Sequence, residues 1–292
     1  MSRQFKNILA IKFFLICIGL INTAGQNIEL EIRGMNAFSF ILIVAVLLQV
    51  IFFIPSYLLK TEKYYDLVGS LTYIVTVSLA YFSVENQTMI DSIIYFYVMV
   101  WALRLGIYLF RRVRTDGKDV RFEQAKRHFF WFLQYWMGQA LWISLTASAA
   151  IIAILSQEEN TIPVLAMIGM AFWLSGFTIE IISDYQKRIF RKDNNTSKAF
   201  IHTGLWARSR HPNYFGEITL WTGIAIIALN TLTGVEYVTL ISPVFVYILL
   251  TRMSGINLLE NIADERYGHL KEYQNYKRNT PVLFPKLLNK IK

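Results

Sequence analysis

Long apolar runs separated by short polar stretches dominate the chain. The runs fall at roughly 7–23, 37–59, 66–84, 93–110, 131–155, 161–183, 214–231 and 236–254, each near the ~20 residues that carry a helix across ~30 Å of hydrocarbon. Lys12 interrupts the first run, and Gln134 and Gln139 fall inside the fifth. The pattern predicts an all-α, polytopic membrane bundle of seven to eight transmembrane helices. Its polar segments concentrate between 111 and 128, between 184 and 213, and after 254.

Charge sharpens this picture. If all eight runs cross, the two termini share one side, and every one of the 29 Lys and Arg except Arg33 falls on that same side. Positive-inside bias then predicts that the basic loops are cytoplasmic, in a bacterial inner membrane or an endoplasmic reticulum membrane. Composition agrees: of 292 residues, 54% are hydrophobic and 17% charged, against about a quarter charged in a soluble domain. The net charge of +9 follows from orientation, and without a stacking module or soluble basic domain no nucleic-acid partner is expected. Cys17, the lone cysteine, excludes an intrachain disulfide and a cysteine-rich metal site. His128, His202, His211 and His269 share no ligand spacing, so no metal is expected. The small-residue patch Thr23-Ala24-Gly25 after the first run resembles a signal-peptide end; a retained first span or signal anchor is the expectation. Nothing points to an obligate protein partner.

The richest chemistry lies at Thr203–Glu217, Thr-Gly-Leu-Trp-Ala-Arg-Ser-Arg-His-Pro-Asn-Tyr-Phe-Gly-Glu. Pro212 suits the first turn of a helix, where its missing N–H has no partner in any case. The amides behind it form an anion site. Gly204 permits a tight turn, and Leu205 and Trp206 are expected to anchor the loop at the bilayer interface. Upstream, Glu180, Asp184, Arg188 and Arg191 are spaced by four, four and three, so they share one helix face. The eleven residues from Glu180 rise about 16 Å, from just inside the hydrocarbon to the aqueous loop. Carboxylates at that depth are functional candidates, although an Asp184–Arg188 salt bridge serves structure equally well. No carboxylate is spaced to tune His211 locally. Downstream, Asn257, Glu260 or Asn261, and Asp264 fall at helical spacing; they either close over the same pocket or belong to an amphipathic surface helix.

Together the runs Glu180-Ile-Ile-Ser-Asp-Tyr-Gln-Lys and Gly204–Glu217, and the ending from Ser254-Gly255 to Thr280-Pro281, resemble the uncharacterised membrane family DUF1295, grouped with the steroid 5-alpha-reductases. The resemblance extends over about 90–280. It implies N-terminal transmembrane helices over 1–90, then a reductase-like transmembrane domain with a cytoplasmic tail over 91–292. It further implies NADPH bound from the cytoplasmic side and reduction of an activated carbon–carbon double bond in a lipophilic substrate. On this pattern Asp184, Arg188, Arg191, Asn213 and Glu217 meet the cofactor, with Arg208, Arg210, His211 and Tyr214 around them; Asn257 and Glu260 join them where the C-terminal stretch closes over the pocket. The end of the fourth span, Arg104 to Arg112, adds a basic wall. Guanidinium groups suit the 2′-phosphate of NADPH, because they bind phosphate in a fixed bidentate geometry.

The match breaks at the proton donor. The characterised steroid reductases carry Gln-Glu-Leu-Pro-Ser, with a Glu that works beside a later Tyr. Here Phe52-Phe53-Ile54-Pro55-Ser56 has neither Gln nor Glu, and Trp101 stands where the tyrosine is expected. Replacement donors are Tyr65 and Asp66, with Tyr64 beside them, and Tyr97 and Tyr108 on the fourth span. Two other functions compete. Lipid and isoprenylcysteine methyltransferases using S-adenosylmethionine also show Arg-His-Pro-x-Tyr followed by a Glu and Tyr-x-x-Tyr, matched here by Arg210–Tyr214, Glu260 and Tyr273-x-x-Tyr276. A non-catalytic lipid-binding protein would instead place ionisable groups near mid-membrane.

Overall fold

The computed structural model describes residues 2–116, 119–156, 162–193, 199–253 and 255–286. Among them are ten α-helices: α1 Arg3–Asn22, α2 Ala37–Leu58, α3 Tyr65–Ser83, α4 Met89–Asp116, α5 Phe129–Leu155, α6 Val164–Asp193, α7 Pro212–Ala228, α8 Ile241–Ile248, α9 Ile256–Tyr267 and α10 Lys271–Asn279. A two-residue-per-strand hairpin, β1 Glu31–Ile32 and β2 Met35–Asn36, pairs Glu31 with Asn36 and Ile32 with Met35. It turns on Arg33 and Gly34, at φ 55° and 77°, the left-handed pair that a two-residue hairpin favours. The asparagine ending β2 also caps α2, its Oδ1 accepting from Ser39 N at 3.0 Å.

Seven helical stretches among the described residues are long and apolar enough to cross a membrane: Arg3–Gly25, Ala37–Leu58, Tyr65–Ser83, Met89–Arg111, Phe129–Leu155, Val164–Lys192 and Gly234–Tyr267. The remaining apolar run forms α7, whose 17 residues stand at the short edge of the spanning range. The all-α polytopic bundle predicted from the apolar runs is therefore the fold. Large apolar side chains such as Phe13, Leu20, Ile51, Phe96 and Val164 are exposed, as lipid-facing positions must be.

The chain divides into two compact units, Met1–Met167 with Ala225–Ser242, and Ile168–Ile224 with Pro243–Lys292. In the first, α5 is the enclosed helix. Its buried Ala140, Ala147, Ala149, Ala150 and Ala153 let α1, α2 and α3 approach closely. Phe53, Phe122, Phe132 and Trp136 gather beside Val68 in an aromatic cluster. A clasp of charges fastens the segment after α4 to the start of α3: Lys126 Nζ lies 2.6 Å from Glu62 Oε2, Asp119 N donates to Glu62 Oε1 at 3.2 Å, and Arg121 pairs with Asp119 at 2.5 Å and with Asp66 at 3.9 Å.

In the second unit, glycines bring α6 and α7 into backbone contact. A Cβ on Gly216 would lie 2.6 Å from Gly176 O and 2.8 Å from Glu180 N, and one on Gly223 would lie 2.6 Å from Gly169 O. The last membrane stretch is not one uniform helix. After α8 the backbone widens into a π-turn at Leu249–Met253, an irregularity frequent near functional sites, and α9 resumes at Ile256.

Candidate functional site

The loop that leads into α7 is fixed in place by three other segments of the second unit. Gly204 turns at φ +61°, where an added Cβ would strike the Gln186 side chain; the same amide accepts from Leu205 N at 3.0 Å. Trp206 departs from its expected place at the bilayer interface. It is buried against α6, its Nε1 donating to Ser183 O at 3.1 Å and Lys187 Nζ lying 4.7 Å from its ring. The indole finds a hydrogen bond and a cation inside the protein, which meets both demands that would otherwise draw it to an interface. From the other side, Tyr276 donates to Trp206 O at 2.7 Å.

Residues 208–211 are also bound along their backbone. Arg210 N donates to Pro281 O at 2.9 Å, Lys286 N to Arg208 O at 3.1 Å, and Ser209 Oγ to Leu283 O at 2.7 Å. The Ser209 hydroxyl accepts in turn from His211 N at 3.2 Å. Helix α7 then starts at Pro212, as the missing N–H of proline predicts.

This scaffold assembles a charged cluster. His211 Nε2 lies 2.9 Å from Glu260 Oε1, Arg210 Nη1 lies 3.1 Å from Glu260 Oε2, and Lys277 Nζ lies 3.8 Å from the same oxygen. Lys277 also holds Asp264 at 2.6 Å, and Tyr273 donates to Asp264 Oδ1 at 3.0 Å. His211 stacks on Tyr214 at 5.5 Å and 16°. Burial pushes the His211 imidazole below its ordinary value; the Glu260 bond opposes this, while Lys187 and Arg210 add to it. The ring is therefore neutral at neutral pH and donates from Nε2 to the carboxylate. Burial raises the phenols of Tyr273 and Tyr276, so both stay protonated and able to donate.

Arg210 is the most informative member. Its side chain is 10% exposed, yet Nε and Nη1 lack a hydrogen-bond acceptor, the Glu260 contact being an ion pair without hydrogen-bond alignment. A guanidinium brought so far from water normally directs its donors at an anion.

The other candidates sort by burial. Glu180, Asp184 and Glu217 are buried, Asn213 and Tyr214 are half-buried, and Arg188, Arg191, Arg208 and Asn257 are exposed. Arg188 lies over the Tyr185 ring at 5.4 Å. Sequence reasoning gave no role to Gln186, Lys187, Ser209 or Lys277, and found no carboxylate for His211. Glu260 is 49 residues away, and no local spacing signals such a pair.

The proposed proton donors belong to the first unit. Tyr65 donates to Tyr135 O at 2.9 Å and packs on Phe122 and Trp136, and Asp66 faces Arg121. Tyr97 and Tyr108 are half-buried on α4, and the Arg104 guanidinium lies 5.7 Å from the Tyr108 ring centre.

The spans and the cluster define a multi-pass membrane protein that carries a partly buried cluster of paired charges at the head of a helix. Residues 52–280 match the family described as "Protein of unknown function (DUF1295)", and the chain belongs to that family. It is also similar to proteins named 3-oxo-5-alpha-steroid 4-dehydrogenase 1. The mouse protein is 30% identical over 120 residues, covering 41% of this chain and 42% of its own length. The rat protein is 29% identical over 120 residues, covering 41% of each. The human protein is 40% identical over 60 residues, covering 20% of this chain and 23% of its own. The alignments thus span less than half of these relatives. No solved structure matches.

Proposed function

We propose that this protein is a membrane reductase that binds NADPH on its second unit and reduces an activated carbon–carbon double bond in a steroid, isoprenoid or fatty enone-like substrate. The observation that carries the proposal is the Arg210 guanidinium, buried beside Glu260 and His211 with donors that lack an acceptor. These donors fit the diphosphate of a dinucleotide. Exposed Arg188, Arg191 and Arg208 suit the 2′-phosphate, while Asp184, Asn213, Tyr214, Glu217, Asn257 and Glu260 offer acceptors and donors to ribose and amide groups. The names of the similar proteins describe removal of hydrogen from a 3-oxo-steroid at carbon 4, and its reverse is reduction of the adjacent double bond. When bound, the nicotinamide supplies a hydride to the β carbon of the enone. The chain must place a proton donor at the α carbon or the carbonyl oxygen, giving the saturated ketone and NADP⁺. Tyr97 and Tyr108, which share one face of α4 with Arg104, are proposed for that role together with Tyr65 and Asp66.

Arg210, His211, Tyr214 and Glu260 converge in one unit, and that observation also favours a lipid methyltransferase using S-adenosylmethionine. Thermal unfolding of the detergent-purified protein with NADPH, NADH and S-adenosylmethionine separates the two. At ~100 times its dissociation constant NADPH should stabilise by about 2.7 kcal/mol. Arg188→Ala with Arg191→Ala should weaken NADPH more than NADH. Stabilisation by S-adenosylmethionine alone would sink the reductase.

A further inference from the structure

The first unit holds two buried glutamines within its apolar interior. Gln49, on α2, is fully buried; its Nε2 donates to Thr72 Oγ1 at 2.9 Å, while its Oε1 has no hydrogen-bond partner. Thr72 cannot answer it, because the threonine hydroxyl proton goes to Val68 O at 2.8 Å. Gln139, on α5, is 7% exposed and its Oε1 is also without a partner. Its amide fills the space where a Cβ at Gly69 would sit, 2.4 Å away. The two amides therefore flank the same turn of α3, residues 69–72. One turn along from them, Phe53 and Trp136 approach each other at 6.5 Å.

Unanswered carbonyl oxygens are costly in an apolar interior. The surroundings are otherwise largely apolar and aromatic, which favours an occupant with little polar surface of its own. A hydroxyl attached to an apolar body fits such a place: its proton answers one of the two amide oxygens while its skeleton stays in apolar surroundings. We infer that Gln49 and Gln139 form a recognition point for the hydroxyl of a lipophilic ligand in the first unit. The inference rests on the lipophilic substrate proposed above and narrows it to hydroxylated molecules.

The test uses two matched pairs: testosterone with androst-4-en-3-one, which lacks the 17-hydroxyl, and farnesol with its methyl ether, which cannot donate. Binding is measured on the full chain in nanodiscs, without nucleotide, for the wild type and for Gln49→Leu, Gln139→Leu and the double variant. The wild type should prefer the alcohol of at least one pair by about tenfold, a typical hydrogen-bond effect. The double variant should lose that preference while binding the partner compound unchanged. Gln49→Met with Gln139→Met, closer in shape, guards against a folding defect and should behave alike. A preference that survives in the variants, or no preference for the alcohol in either pair, overturns the inference. NADPH stabilisation is measured in the same samples. If it persists while the alcohol preference is absent, the recognition point fails and the reductase stands. If it is absent while the preference is present, the reverse holds.

Discussion

At Glu260 one carboxylate meets the His211 imidazole, the Arg210 guanidinium and the Lys277 ammonium. Two of these are nearly enclosed, so Glu260→Gln leaves a buried guanidinium without its counter-charge. Removing one partner of a buried pair typically costs 3–5 kcal/mol; because Glu260 retains 16% exposure, a loss of about 3 kcal/mol in chemical unfolding is expected. His211 adds a pH dependence whose sign is fixed. Its folded value lies below the ordinary 6.5, so the unfolded chain takes up the proton more readily. Its contribution is whole above about pH 6.5 and is lost as pH falls through the folded value. His211→Asn should flatten the stability profile between about pH 7 and 5; an unchanged slope in that window would assign the dependence to other groups.

Between α6 and α7 the contact is backbone on backbone. Gly169 and Gly176 on one helix and Gly216 and Gly223 on the other repeat at seven residues, and a methyl added at Gly176, Gly216 or Gly223 would meet a main-chain atom that cannot swing aside. Gly216→Ala should therefore cost about 1–3 kcal/mol by overpacking, and reduce NADPH stabilisation by displacing Glu180 and Glu217. Gly19→Ala in α1, with nothing within 4 Å of the new methyl, should instead be neutral or gain about 0.5–1 kcal/mol of helix propensity. Elements such as α2 and α5 were legible because hydrophobic length alone demands a span. The start of α7 and the turn at Gly204 were legible because proline and glycine restrict the backbone locally. The glycine contacts were not, since their meaning depends on which helix lies opposite.

Across the whole molecule, the expected placement of nearly every Lys and Arg on one side makes orientation testable. With Cys17→Ser as background, cysteines at exposed Glu31 and Lys271 should show opposite accessibility to an impermeant thiol reagent in sealed vesicles. Equal labelling would refute the single-sided charge partition. The spanning stretches followed from the sequence, but the convergence of Arg210, His211 and Glu260 did not, because tertiary pairs at long separation leave no periodic trace. Trp206 shows the same limit: a tryptophan at a span end satisfies an interface or a buried partner equally well until Ser183 and Lys187 are placed beside it.

The hydrogen bonds from residues 208–210 to residues 281–286 join segments separated by more than seventy positions, 74 for the Ser209 hydroxyl and Leu283 O. All of α7, α8 and α9 lie between them, including the last membrane stretch. Contacts of such separation close late in folding, so the loop before α7 cannot take its final shape during synthesis of its own segment. It must wait until the later helices have entered the bilayer in the correct direction. A chain that inserts its final crossing backwards would keep Arg210 and His211 on one side and Glu260 on the other. Competence to bind a nucleotide would then report on membrane insertion itself, separating correctly threaded molecules from misthreaded ones of identical sequence.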